Sequence, residues 1–334
     1  MDLLTQGLLG ANLAVTRAQK NEIGLASGIG FFAGIIADAD ILIQSEQDPL
    51  LTIEFHRHFT HSLFFVPFGA LIAAALLWPF LRRRLVFSRL YLFCLLGYSL
   101  SGVLDALTSY GTHLLWPIIE TRLAFNIISV IDPIFTLILL VAAIIAFRKK
   151  KAAHAIFGLI IASLYLLIGY AQLQRAELAT LAIAQSRHHE IERILVKPTL
   201  GNLILWRSLY EYDGRFYVDA IRVSFFSNPS TYPGESVEKF VKADYLEQLP
   251  IDSVLNGDID RFNKFSDGFV ALRSEPGEQD LLVDIRYSSL PNSVAPLWAI
   301  EMDLEQPDQH AQFRVFRSAS RALREKFMAL LMGK

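Results

Sequence analysis

The sequence predicts an α-helical polytopic membrane domain of about six spans, followed by a small α+β domain on the extracytoplasmic side. Three observations carry this. The 334 residues are 53% hydrophobic and 19% charged, with a mean hydropathy of +0.36, outside the usual balance of a soluble protein. Charge is unevenly spread, with 22 acidic and basic side chains in residues 1–174 and 42 in residues 175–334. Ser62–Leu81 and Ala155–Gln174 each run twenty residues without such a side chain, the length of helix that crosses about 30 Å of hydrocarbon. A wholly soluble enzyme is thereby excluded. The net charge of -2 offers no argument for a nucleic-acid partner, and the single cysteine, Cys94 in an apolar run, excludes a disulfide framework.

The expected division is a transmembrane domain over residues 1–174, a helical stalk over 175–200 and a soluble α+β domain over 201–334. Leu3–Thr16 is a sixth span, a re-entrant segment or an interfacial helix; a cleaved signal peptide is disfavoured because Arg17 and Lys20 follow the apolar stretch. Ile23–Ala37 is glycine-rich, which permits close helix contact. Beyond Ser62–Leu81, two further spans are read in Leu90–Leu104 and in Leu123–Phe147, the latter apolar except for Asp132 and the following Pro133. The last in chain order is Ala155–Gln174. Arg82, Arg83, Arg84 and Arg89 fill one short loop, and Arg148, Lys149, Lys150 and Lys151 another. Both loops belong in the cytoplasm by the positive-inside rule, which sends everything after Gln174 outside.

That topology has a consequence for the ionisable residues. Asp38, Asp40, His56, His58, His61, Asp105 and Asp132 all fall at the outer ends of their segments. Ionisable groups are costly at such depth and mark functional sites by default. Residues two apart on an α-helix point in nearly opposite directions, so Asp38 and Asp40 converge only at a helix end or extended turn. Carboxylates with imidazoles supply the mixed oxygen and nitrogen ligands that suit a divalent metal ion, zinc first, with manganese or iron as alternatives. Blander readings stand beside these. Asp-x-Asp also describes a solvated helix terminus, His56-Arg57-His58-Phe59-Thr60-His61 a water-facing loop, and Thr108-Ser109-Tyr110 a helix end whose hydroxyls satisfy backbone groups. Asp132 before Pro133 reads equally as an N-cap, and Arg122 as its ion-pair partner or as an anion clamp.

In order and spacing these residues resemble the family of membrane-bound predicted metal-dependent hydrolases, also described as LexA-binding, inner membrane-associated hydrolases of bacteria and archaea. The resemblance runs over about residues 1–145. It rests on Asp2-Leu3-Leu4-Thr5-Gln6, Leu9-Gly10-Ala11, Asp38-Ala39-Asp40, His56-Arg57 with Thr60-His61-Ser62, Leu104–Thr112, Leu115-Trp116-Pro117, Arg122 and Ile131-Asp132-Pro133. It implies a metal site of Asp38, Asp40, His56, His61, Asp105 and Asp132, with Arg57 and Arg122 in support. A common family form has histidine where this chain has Gln6 and Ser101, and glycine where it has His58. The histidine at position 58 adds a ligand or distorts the turn, and as a spare histidine beside the metal it is a candidate general base of the hydrolase.

In the second half, Ala176–Leu195 reads as helix, and Asp213-Gly214 as the turn of a hairpin between Leu203–Tyr210 and Arg215–Phe226. Ser236–Gln248 and Gly257–Phe265 read as helices; Gly268–Arg273, Leu281–Tyr287 and Leu297–Asp303 as strands. Gln312–Leu331, with Arg314, Arg317, Arg321, Arg324 and Lys326 among apolar residues, reads as a basic amphipathic helix for anionic lipid or for packing on the sheet. No phosphate loop or nucleophile elbow is present. The expected function is a membrane-embedded metal-dependent hydrolase acting at the outer face of the cytoplasmic membrane, with membrane lipid as partner and a lipid or lipid-linked ester or phosphoester as substrate. An ion-coupled transporter, or a scaffold with a structural or vestigial metal site, is the alternative.

Overall fold

The computed structural model describes residues 1–245, 249–274, 279–316 and 320–334. They form two compact units, one of residues 1–42, 55–171 and 200–202, the other of 43–54, 172–199 and 203–334.

The first unit is helical. Its elements are α1 (Leu3–Val15), α2 (Ile23–Ile36), α4 (Val66–Leu81), α5 (Phe87–Tyr98), α6 (Ser101–Ala106), α7 (Pro133–Lys149) and the first part of α8 (Ala153–Ser186); the short α3 (Leu51–Phe55) lies at the boundary of the two units. Three stretches are long and apolar enough to cross a membrane: Ile23–Leu42, Phe87–Ala106 and Ala153–Ser186. A fourth is made by Leu51–His61 with Val66–Leu81 if that pair, bent by 93°, is one span. Helices α1 and α7, at 13 and 17 residues, are shorter. Large apolar side chains such as Leu76, Phe80, Leu137, Phe157 and Leu167 are exposed along α4, α7 and α8, as on a surface that meets lipid rather than water.

Glycine sets the packing of the three central helices. A Cβ on Gly10 of α1 would strike the carbonyl oxygens of Gly30 on α2 and Gly97 on α5, and one on Gly97 would lie 2.6 Å from the Gly30 oxygen. Backbones therefore touch where side chains would intervene. The ends of α1 and α7 are capped as their sequences suggest: Asp2 accepts from the Thr5 amide at 3.0 Å, and Asp132 accepts from the amides of Ile134 and Phe135, each at 3.0 Å, with Pro133 opening the helix.

The second unit is built on antiparallel sheets. Strands β1 (Arg193–Pro198), β2 (Leu205–Tyr212), β3 (Arg215–Arg222) and β4 (Ser230–Tyr232) pair in sequence, and β5 (Ser236–Glu238) also pairs with β3. Strands β6 (Val270–Arg273), β7 (Asp280–Asp284), β8 (Trp298–Met302) and β9 (Phe313–Val315) form the other sheet. Helices α9 (Val254–Phe265) and α10 (Arg321–Met332) complete the unit. The second sheet is covered on both faces. Ala271, Val283 and Ala299 pack with Leu209, Phe216 and Val218 of the first sheet, whereas Val270, Leu282 and Ile300 pack with α9 and with Leu50 and Ile53. Successive residues of a strand point to opposite faces, so β6, β7 and β8 are apolar without alternation.

Three sequence expectations are corrected. Helix α8 stops at Ser186, and His188 turns left-handed at φ 59°; the stretch from Arg193, expected to finish the helical stalk, pairs with β2 instead. Ser236–Glu238 is a strand because the free side of β3 offers Arg215–Tyr217 as partners, and Lys242–Tyr245 is a single 3₁₀ turn; the last three residues of the expected helix lie outside the described residues. Phe313–Val315 pairs with Trp298–Ile300, so the tail is a strand and then a helix capped by Ser320, with Arg317 outside the described residues.

Candidate metal centre

The α-helix of the second span tightens into a 3₁₀ turn over Ala37–Leu42. This lets Asp38 and Asp40 grip one imidazole from two sides: Asp38 Oδ1 lies 3.5 Å from His61 Nε2 and Asp40 Oδ2 lies 3.3 Å from His61 Nδ1. The third carboxylate, Asp105 at the end of α6, brings Oδ2 to 3.0 Å from His61 Nε2. His61 itself sits in a 3₁₀ turn, Phe59–His61, against Gly102 of α6. A Cβ on Gly102 would collide with the His61 carbonyl oxygen, so this approach needs glycine. Asp38, Asp40, His61 and Asp105 are all buried.

Asp40 organises the histidine loop. Its Oδ2 accepts from the Arg57 amide at 2.8 Å and from Thr60 Oγ1 at 2.6 Å, and its Oδ1 lies 3.0 Å from His56 Nδ1. Those bonds hold Arg57 in a left-handed conformation, φ 59°, which a non-glycine residue keeps only when its surroundings impose it. Tyr98 donates to the Thr60 carbonyl at 2.6 Å. Arg57 Nε lies 3.3 Å from Asp105 Oδ2, its NH2 donates to the Met1 carbonyl at 3.0 Å, and the Met1 amine contacts Asp105 Oδ1.

The fit to a metal ion can be judged from this geometry. Asp38 Oδ2, His61 Nε2 and Asp105 Oδ2 are buried and make no hydrogen bond. His61 presents Nδ1 to Asp40 and Thr60 and Nε2 to Asp38 and Asp105, so carboxylate oxygens and an imidazole nitrogen face one small space beside the Arg57 guanidinium. Carboxylates gathered in a dry site call for positive charge among them. A divalent cation ligated by one atom from each of Asp38, His61 and Asp105 meets all three, and their ligand atoms lie within 4.8 Å of one another.

Of the residues singled out in sequence, Asp38, His61 and Asp105 converge, Asp40 and His56 adjoin them, and Arg57 bridges to Asp105. Arg122 donates to the His56 carbonyl at 3.1 Å and stacks over Tyr110. Asp132 is elsewhere: beyond capping α7 it accepts from Tyr165 at 2.9 Å. His58 turns into an aromatic cluster, its ring 4.3 Å from His113 and 5.8 Å from Trp116. In sequence Thr60 has a place in the histidine motif and a reading as a helix cap, and Tyr98 has no role. A second group, Asp48, Asp258 and His310, lies in the other unit. There Arg261 donates to Asp48, Glu54 and Asp258 at 2.7–3.0 Å and already supplies the positive charge.

A sequence profile described as YdjM inner membrane protein matches residues 1–176, more than half of the chain. The chain belongs to the YdjM inner membrane protein family. That places it in a membrane, as its apolar helices require. Among curated proteins it is similar to the uncharacterized protein YfhP of Bacillus subtilis (strain 168), 29% identical over 184 residues, 54% of this chain and 54% of that protein. The chain thus spans about half the length of that relative. No solved structure matches it.

Proposed function

We propose that this protein is a metal-dependent hydrolase of the cytoplasmic membrane, with six membrane crossings, a site opening at the outer face and a lipid or lipid-linked ester or phosphoester as substrate. The observation that carries this is the convergence of Asp38, His61 and Asp105, all buried, with one ligand atom from each lying within 4.8 Å of the others. A divalent cation held there, zinc first, supplies Lewis acidity towards the ester oxygen and towards water. The chain's own residues do the rest. Asp40 and Thr60 fix the ring of His61, Arg57 holds Asp105, and the second oxygen of a carboxylate in the group takes the proton from attacking water. Gathering of the carboxylates also argues against a transporter, whose relay spreads such groups through the depth of the bilayer.

Metal content of the purified full-length protein is the test. About one equivalent of metal is expected under zinc repletion, with Asp38→Asn and His61→Ala losing more than the ~10–100-fold in affinity that an outer partner costs, and chelation lowering the melting temperature. A folded protein that takes up no metal, or variants that hold it as tightly as the native chain, overturns the reading.

A further inference from the structure

Two arginines meet over one tyrosine beside the carboxylates. The Arg57 guanidinium carbon lies 5.0 Å from the Tyr110 ring centre and that of Arg122 4.9 Å. The chain builds this deliberately. Gly111, at φ 73°, turns the backbone after Tyr110, and Thr112 and Leu123 exchange amide-to-carbonyl bonds of 3.0 and 2.8 Å, which sets Arg122 next to Tyr110. The His56 ring, 5.6 Å from Tyr110, closes the group and joins it to Asp40. Arg57 is buried, whereas Tyr110, Arg122 and His56 are half-buried, so the arginine side of the centre has the more open face.

We propose that Arg57 and Arg122 make this centre specific for a phosphoester, by placing planar cationic donors where the non-bridging phosphoryl oxygens lie. The inference rests on the hydrolase reading and narrows its substrate. Charge decides between the ester classes. Asp38, Asp40 and Asp105 supply three negative charges, against which stand the two guanidiniums and the Met1 amine beside Asp105; a divalent cation makes the assembly cationic. An anionic phosphodiester offsets that charge, whereas a neutral carboxylic ester leaves it uncompensated. Guanidinium also matches phosphate geometrically, through paired donors. In the reaction the water oxygen forms a bond to phosphorus and the bond from phosphorus to the alcohol oxygen breaks. The water proton passes to a carboxylate of the centre and on to the departing alkoxide. The product is a phosphate monoester and a free alcohol.

The test uses the full-length chain in detergent and reads zinc affinity by chelator competition and inorganic phosphate binding by calorimetry, besides turnover. Zinc-loaded protein is expected to bind phosphate, and Arg122→Gln to weaken that binding about ten- to a hundredfold while holding zinc as the native chain does. Arg122→Lys, which keeps the charge but not the paired donors, should recover part of it. Bis(p-nitrophenyl) phosphate or phosphatidylglycerol in mixed micelles should be hydrolysed and p-nitrophenyl butyrate not; the soluble diester alone assigns a free phosphoester, the phospholipid alone a headgroup. Zinc-loaded protein that binds no phosphate, Arg122→Gln that binds it unchanged, or turnover of the butyrate only would overturn this inference and leave the metal site standing. Failure to bind zinc overturns both.

Discussion

At the scale of single residues, the difference between His58 and His61 shows what a side chain's direction decides. Both fall in the six-residue histidine motif, but His61 stands between three carboxylates while His58 stacks on His113 and Trp116. His58→Phe should therefore leave zinc affinity within about twofold while lowering thermal stability little, as an aromatic ring replaces an aromatic ring. A tenfold loss of zinc would return His58 to the metal centre. Asp40 acts through His61, and Asp40→Asn should loosen zinc by about 10–100-fold in the same chelator competition; an unchanged affinity would show that the imidazole needs no anchor. Order and spacing alone made Asp38, His61 and Asp105 legible, because an acid or imidazole interrupting an apolar run has few structural uses. Asp132 carries the same signal, yet serves as a cap. Thr60 is marked only by its place in the histidine motif, and Tyr98 carries no such signal, since a tyrosine in an apolar helix is common. Gln6 and Ser101, which stand where a common family form has histidines, touch each other: Gln6 Nε2 donates to the Ser101 carbonyl at 3.2 Å.

At the scale of elements, strand register creates a strain that neither strand shows alone. Lys197 on β1 lies opposite Arg207 on β2, and both are buried. Arg207 donates to four carbonyl oxygens, at 2.6–3.3 Å, of Ile285, Leu290, Pro291 and Ser293, whereas Lys197 Nζ makes no hydrogen bond among the described residues and rests on the Tyr287 ring. Burial, reinforced by the charge of Arg286, holds the Lys197 amine well below the ordinary lysine value of 10.5. Burial also lowers the Arg207 guanidinium, to about 10. Between the folded and unfolded values of Lys197 the unfolded chain binds the extra proton, so stability rises with pH through that interval and levels off above about 10.5. Lys197→Met should raise stability near neutral pH by about 1–3 kcal/mol and flatten the slope; the melting temperature of the full chain against pH reads both, and a variant that melts earlier would contradict it. The Asp213-Gly214 hairpin was legible because two left-handed residues, φ 49° and 65°, are what a two-residue turn demands. Strand β1 was hidden for the opposite reason. Its residues follow a long helix without proline or glycine, and only the partner strand makes them extended. The same holds for β9, whose pairing with β8 overrides an amphipathic pattern that continues into α10.

At the scale of the whole molecule, the basic loops and the candidate centre lie at opposite ends of the helices. Arg89, beside the Arg82–Arg84 loop, pairs with Glu22 at 2.6 Å and donates to the Arg17 carbonyl at 2.7 Å, which joins two of the basic segments. Phe147, just before the loop of Arg148–Lys151, packs so close to the start of α2 that a Cβ on Gly24 would lie 2.9 Å from its ring, which sets that loop at the same end. From there α2 runs towards Asp38 and Asp40, α5 and α6 towards Asp105, and α4 arrives from His61. Helix α7 arrives from Asp132, and Thr5 beside Asp2 meets Thr136 at 2.6 Å. Asp38, Asp40, Asp105 and Asp132 thus sit at the end opposite the two basic clusters Arg82–Arg84 and Arg148–Lys151, with Arg57 and Arg122 as the basic residues beside them. In the proposed topology the basic end is cytoplasmic, α8 crosses once from it, and the chain beyond emerges outside. Reporter fusions after Leu85, Lys151 and Ser230 are expected to read cytoplasmic, cytoplasmic and extracytoplasmic. Replacing Arg82, Arg83 and Arg84 together by Gln should shift part of the population to the inverted orientation, because orientation follows the bias of basic residues near the span ends. A Ser230 fusion that reads cytoplasmic while Leu85 and Lys151 also do would mean that Ala153–Ser186 does not cross, and would return the acids at the far end to an unassigned side of the membrane.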